Sequence, residues 1–282
     1  MRTIDFETIL AQSLQITGLD RENLTASSFR QIRDFANFRL KTAWEVDTWP
    51  DLIRTTAFPV TAVGTVYSVP IPSNGVVTNS EGTFKVSVGD VLQVTDKDPR
   101  TTGAVRNIGF SIDEQDVLVS GNIYTQSRRL IIDSNAYAEV YLTYRIPCPE
   151  LVGDLWSIGT YVTGTTVYWA YEPTKYFAPT TGSLAGGKKG NFWNCLASTT
   201  AAPNVGGFVN PTAGDVWEKV KIPAIFGQYI IKGIHSDWLK SEQQMEFGFA
   251  VDKEAGQLLD FEIQKVIVQQ GIQPRLKFNQ IY

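Results

Sequence analysis

The stretch Gly182-Ser183-Leu184-Ala185-Gly186-Gly187-Lys188-Lys189 has the glycines and the lysine of a loop that wraps a phosphate. Such a loop also needs Ser or Thr directly after the lysine, to hold Mg²⁺. Here that position is Lys189, and Gly190-Asn191 follow where a helix should start. Nucleotide binding is not expected; a loop with two exposed lysines is. His235 is the one histidine. It falls inside a predicted helix, where a lone imidazole is a solvated or core residue. No Gly-x-Ser-x-Gly elbow, no His-Glu-x-x-His and no Cys/His cluster of zinc spacing occurs. Asp96 and Asp98 sit beside Pro99 in a predicted turn, where Asp serves to cap local backbone. Cys148 and Cys195 are too few for a disulfide framework and are expected as buried thiols, with pairing left open. Neither an enzymatic activity nor a cofactor is expected.

Aromatic chemistry is the richer signal. Four of the seven tryptophans, Trp156, Trp169, Trp193 and Trp217, fall between residues 147 and 222, in a segment poor in charge and rich in Gly, Thr and Pro. An exposed flat ring stacks on the apolar face of a sugar. The same ring type builds the core of a small module and is enriched at protein interfaces. Trp156 and Trp217 are expected in a core. Trp169, Tyr171 and Trp193 are the candidates for exposure, as glycan or protein contacts.

The elements that must position these residues follow from hydrophobic period. Phe6, Ile9, Leu10 and Leu14 recur at helical spacing, predicting a helix over 3–17 with Thr3 as cap and Gly18 as stop. A second helix is predicted over 27–47. Its capping box is Ser28 and Gln31, and its stripe is Ile32, Phe35, Ala36, Leu40, Ala43 and Trp44, with Arg30, Arg33, Asp34, Arg39 and Lys41 on the other faces. From about 55 to 146 the period becomes two, predicting an antiparallel β domain of six to eight strands punctuated by Asn74-Gly75, Glu81-Gly82 and Ser120-Gly121-Asn122. Helical period resumes at Pro223, breaks near Glu242-Gln243, and continues over about 244–269 until Gly271. The chain is thus expected to be α+β. Helices of 1–54 and 223–270 form a bundle; 55–146 is an antiparallel β domain. Residues 147–222 are a small inserted all-β module bounded by prolines, and 271–282 an extended arm.

Composition narrows the partners. With a net charge of −4, no broad basic surface for nucleic acid is expected. No run of eighteen apolar residues exists, so no membrane span is expected. Met1-Arg2-Thr3-Ile4-Asp5-Phe6 carries no apolar leader, so no secretory signal is expected. Hydrophobic content of 43% and charge of 19% are those of a chain able to build its own core.

Two resemblances add to this. The first rests on a short helix around Phe6–Ile16, a longer one around Phe29–Val46, and an intervening β region. After it come Ile222-Pro223-Ala224-Ile225-Phe226-Gly227-Gln228-Tyr229, two Gln- and Glu-rich helices, and a tail. In layout this resembles the head-to-tail adaptor (connector) proteins of tailed phages. The resemblance implies a structural virion protein in the neck, assembled in the host bacterial cytoplasm. It implies a homo-oligomeric ring, usually a dodecamer, beneath the portal protein, touching tail or neck proteins and passing DNA without specific binding. It also implies a C-terminal arm, here Arg275, Leu276, Phe278, Ile281 and Tyr282, that reaches the portal or a neighbouring subunit. The second rests on Trp156, Gly159-Thr160-Tyr161-Val162, Trp193-Asn194-Cys195-Leu196-Ala197, Pro211 and Trp217 in that order. The series is similar to the small chitin-binding-type carbohydrate modules of families 5 and 12. That likeness implies, as the alternative function, engagement of a host-surface glycan through residues 147–222. Two departures stand out: Trp193 where a tyrosine is usual, and a loop over 171–190 between the halves.

Overall fold

A computed structural model describes residues 2–19, 24–63, 66–72, 75–80, 82–101, 103–120, 123–132, 137–153, 159–170, 190–196 and 216–272. The chain opens with β1 (Thr3–Ile4), α1 (Phe6–Thr17) and α2 (Ala26–Glu45). Among the described residues nine strands follow: β2 (Ile53–Pro59), β3 (Thr61–Val63), β4 (Val66–Pro70), β5 (Gly75–Asn79), β6 (Gly82–Val86), β7 (Val91–Thr95), β8 (Phe110–Ser120), β9 (Ile123–Ile132) and β10 (Glu139–Arg145). Then come β11 (Thr166–Ala170), β12 (Gly190–Cys195), β13 (Trp217–Lys219) and β14 (Ile222–Pro223), and the helices α3 (Gly227–Ser241) and α4 (Met245–Ile272). The class is α+β, as the periods predict.

Residues 1–47 and 149–274 form one compact unit, and residues 48–148 belong to another. In the second unit every strand pairing among the described residues is antiparallel. The orders are β2-β10-β7, β3-β4-β9-β8 and the hairpin β5-β6. Apolar residues of all three sheets meet in one core, with Phe58, Val69, Val77, Val86, Val94, Leu130, Val140, Leu142 and Tyr144 among its buried members. Along β10 the alternation is direct. Val140, Leu142 and Tyr144 join the core cluster, while Thr143 between them, also buried, bonds Thr55 through its hydroxyl at 3.0 Å on the other face.

In the first unit the helix boundaries shift slightly from expectation. The first helix begins at Phe6, because Thr3-Ile4 pairs with Ile222-Pro223 as a short ladder. Asp5 is its N-cap but makes no side-chain cap bond; its carboxylate instead takes Lys219 Nζ at 3.0 Å. Gly18 closes the helix at φ 72°, a left-handed conformation that glycine adopts without Cβ strain. The second helix is capped by Thr25, whose Oγ1 accepts from Ser28 N at 3.1 Å, rather than by Ser28 itself. Thr25→Ala is therefore expected to cost about 1 kcal/mol of stability, read from the urea midpoint, whereas Gln31→Ala changes little.

Two further boundaries differ. Pro223 lies in β14, and a 3₁₀ turn over Ala224–Phe226 leads into α3. The break predicted at Glu242-Gln243 is a tight turn with Gln243 at φ 65°. The last helix runs through Gly271 to Ile272, past the predicted stop.

The aromatic segment departs from expectation in a more instructive way. Its described strands form an antiparallel sheet of order β11-β12-β13, within the same unit as the helices rather than a unit of their own. The cause is an aromatic cluster on one face of that sheet. Phe192 and Tyr168 meet Phe6 at ring-centroid distances of 5.0 and 6.3 Å, and Tyr168 meets Phe29 at 4.8 Å. All four rings are buried, and edge-to-face and tilted contacts at such distances add to the area they bury. Polar bonds reinforce the junction: Glu7 N donates to Asn191 Oδ1 at 3.2 Å. Asn37 clamps the backbone of Leu151, accepting its N–H at 2.7 Å and donating to its carbonyl at 3.1 Å. Gly153, at φ 125°, lies where an added Cβ would sit 2.1 Å from the Thr166 carbonyl oxygen, so only glycine lets the chain enter the sheet there.

Candidate functional site

Trp193 is the contact candidate whose side chain the structure describes, and it is buried, at 6% exposure. The expectation of exposure fails for a geometric reason. β12 is the middle strand, and residue 193 is flanked by Val167 of β11 and Lys219 of β13. Trp193 packs with Val167, Cys195 and Trp217, with Tyr161 at the cluster's edge. Trp217 is a core residue, as expected, with Tyr161 against it at 5.3 Å. Lys219 Nζ lies 5.6 Å from the Trp193 ring centroid. Sheet β11-β12-β13 is therefore apolar on both faces. Consecutive apolar residues Phe192-Trp193, followed by Cys195, are the sequence signal of a strand covered on both sides. Position 169 lies in β11 opposite Asn191, but the Trp169 side chain, Tyr171 and Trp156 lie outside the described residues. So do the loop 182–189 and the arm residues Arg275, Leu276, Phe278, Ile281 and Tyr282.

The strongest electrostatic feature is one the sequence reading placed elsewhere. Arg39, assigned to a polar face of α2, is 6% exposed. Its Nε and Nη2 donate to the two carboxylate oxygens of Asp237 on α3, at 2.8 and 2.6 Å. Its Nη1 reaches Asp252 of α4 at 2.7 Å. Lys240 donates to Asp252 at 2.8 Å and lies 3.9 Å from Asp237. The two cations and two carboxylates thus lock three helices through a planar, two-pronged donor. Gly233 makes room: a Cβ there would lie 2.6 Å from Arg39 Cδ. The signal was present in the spacing, since Ile32, Ala36, Arg39 and Ala43 share one stripe.

Burial pushes the Arg39 guanidinium down, but the bonds to Asp237, Tyr229 and Asp252 outweigh it, and it stays charged. Burial pushes Asp252 up, while the bonds from Lys240 and Arg39 hold it below the ordinary carboxylate value. The network pairs two cations with two carboxylates across three helices.

The remaining candidates resolve locally. Asp98 is held low chiefly by the bond from Arg100, and Asp96 accepts Arg106 N at 2.8 Å, so both stabilise a turn. Among the described residues no group of three His, Cys, Asp or Glu could hold a metal ion, and no helix is long and apolar enough to cross a membrane. Cys195 is buried and Cys148 half-buried as thiols.

His235 sits on α3 with Nδ1 buried and lacking a hydrogen-bond partner among the described residues. Burial first, and Lys232 second, push it below its ordinary 6.5, against Glu254. A base whose folded value is depressed stabilises the fold above the unfolded value and loses that contribution as pH falls. Urea unfolding is therefore expected to show stability declining from pH 7.5 toward pH 5, and His235→Gln is expected to flatten that slope.

A different kind of site lies on α4. Its buried side, Gly248, Ala255 and Leu259, faces α3, with Ser236 Oγ donating to the Gly248 carbonyl at 2.9 Å. Its outer side carries Phe247, Phe249, Phe261, Ile267 and Val268, each more than half exposed. Contiguous exposed apolar side chains are the kind of surface through which proteins make contacts. Phe247, which shares the helical apolar period of Val251 and Leu258, is 68% exposed. No protein-family model matches the chain, and no curated protein matches it in sequence.

Proposed function

We propose that this chain is a structural virion protein of a tailed phage, a head-to-tail adaptor that forms a ring below the portal and joins capsid to tail. The observation that supports this most is the discontinuous helical unit. Helices from both ends of the chain, α1–α2 and α3–α4, share one compact unit, while residues 48–148 between them build a separate β unit. That arrangement is what the resemblance to the adaptors implies. The exposed apolar side chains of α4 suit a protein that works through contacts. Closed ring symmetry would multiply a modest interface per subunit. The glycan alternative needs exposed rings; Trp193 is buried, so that reading would rest on Trp169 and Tyr171.

The test is to mix the purified chain with the portal protein of the same phage and determine mass by light scattering and shape by electron microscopy. Stoichiometric rings stacked on the portal are expected. A chain that never associates with the portal overturns the proposal.

A further inference from the structure

The outer side of α4 has a self-complementary order. Val251, Glu254, Leu258, Phe261, Lys265 and Val268 are spaced three, four, three, four and three residues apart, the alternation of a helix–helix seam. The spacing reads the same from either end. Two such helices laid antiparallel about a two-fold axis between residues 259 and 260 place Val251 opposite Val268, Leu258 opposite Phe261, and Glu254 opposite Lys265. Each match occurs twice. The one acidic and the one basic position of the seam therefore face each other, and every other layer is apolar. Gln257 and Gln264, both exposed, flank the seam at positions that approach each other across the same axis.

The side chains are placed for it. Phe261 and Val268 are 55% and 66% exposed, and Phe247, at 68%, extends the ridge by a turn. Val251 and Leu258 are half-buried at the border with α3. Glu254 is 58% and Lys265 46% exposed at the side chain. Within the chain Glu254 meets Lys232 at 3.0 Å, and Lys265 meets Glu262 at 2.6 Å while lying 4.3 Å from the Phe261 ring centroid. These exposed pairs are weak enough to exchange partners. From Phe247 to Val268 the ridge spans about 31 Å at the helical rise per residue.

We infer that the occupant of this ridge is a second copy of the chain, giving a two-fold dimer in which the α3–α4 hairpins form a four-helix bundle. Charge order selects this occupant. A lipid surface has no use for Glu254 at mid-ridge, whereas the ridge read in reverse supplies its complement. The adaptor reading draws on the same face of α4, and symmetry separates the two: a two-fold contact is isologous, whereas a cyclic ring is built from heterologous ones.

The test uses the full chain and sedimentation or light scattering. Wild type is expected as a dimer. Glu254→Lys and Lys265→Glu each put like charges opposite one another twice. Each is expected to raise the dissociation constant at least about tenfold. Mixing these two variants in equal amounts restores both opposite-charge layers and is expected to restore a dimer containing one of each. Far-UV circular dichroism of each variant alone shows whether it is folded. If either swap unfolds the chain, Phe261→Ser and Val268→Ser give the same readout. A monomeric wild type, a dimer indifferent to the single swaps, or a mixture of folded variants that stays monomeric would each overturn the inference.

Discussion

Arg39→Ala is expected to destabilise the helical unit by about 3–5 kcal/mol, the cost of removing one partner from a buried ion pair. The size follows from what is left behind. Asp237, at 14% side-chain exposure, loses both bonds from the guanidinium, and its remaining cation, Lys240, lies 3.9 Å away and is already engaged with Asp252. Arg39→Lys is expected to recover part of the loss, because an ammonium cannot reach Asp237 with two donors and Asp252 with a third. Arg39→Met combined with Asp237→Leu is expected to recover more than Arg39→Met alone, since the penalty lies in the orphaned charge rather than in a missing attraction. Urea unfolding followed by circular dichroism measures all four. A loss below about 1 kcal/mol for Arg39→Ala would place the network with ordinary surface pairs.

Trp193→Ala is the second large effect, expected at about 3–5 kcal/mol, as for a large aromatic removed from a packed core. Val167, Cys195 and Trp217 would line the resulting cavity, while Phe192 keeps the opposite face of β12 anchored to Phe6. The damage is therefore expected to be confined to one side of the sheet, with Trp193→Phe much milder. A ring serving a glycan or a partner protein would behave in the opposite way: its loss would leave the unfolding midpoint unchanged and remove binding. The same variant thus separates a structural tryptophan from a contact tryptophan in one titration.

What could be read from sequence divides along physical lines. The helices were legible because Phe6, Ile9, Leu10 and Leu14, and then Ile32, Ala36, Leu40 and Ala43, carry a local period that needs no knowledge of the partner surface. The β unit was legible from its change of period and its turn residues. What escaped depended on contacts distant in sequence. Arg39 looks like a surface arginine until Asp237 and Asp252, about two hundred residues away, are brought beside it. Trp193 looks like an exposed platform until β11 and β13 flank it. Phe247 fits a core pattern when α4 is read alone, because a helix with apolar residues on several sides gives no single stripe to assign. In each case the composition of the element was read correctly and its surroundings were not.

The division of the helical unit between two distant stretches of chain sets an order of events during synthesis. Residues 1–47 leave the ribosome with Phe6, Phe29, Ile32 and Leu40 lacking the β12 and α3 surfaces that later cover them. At about 5–20 residues per second, on the order of ten to forty seconds pass before Ser241 is made. The β unit of residues 48–148 can close in that interval, since among the described residues its core cluster lies within that stretch. The two N-terminal helices must then wait as an amphipathic pair whose apolar stripes are uncovered until β12 and α3 are made.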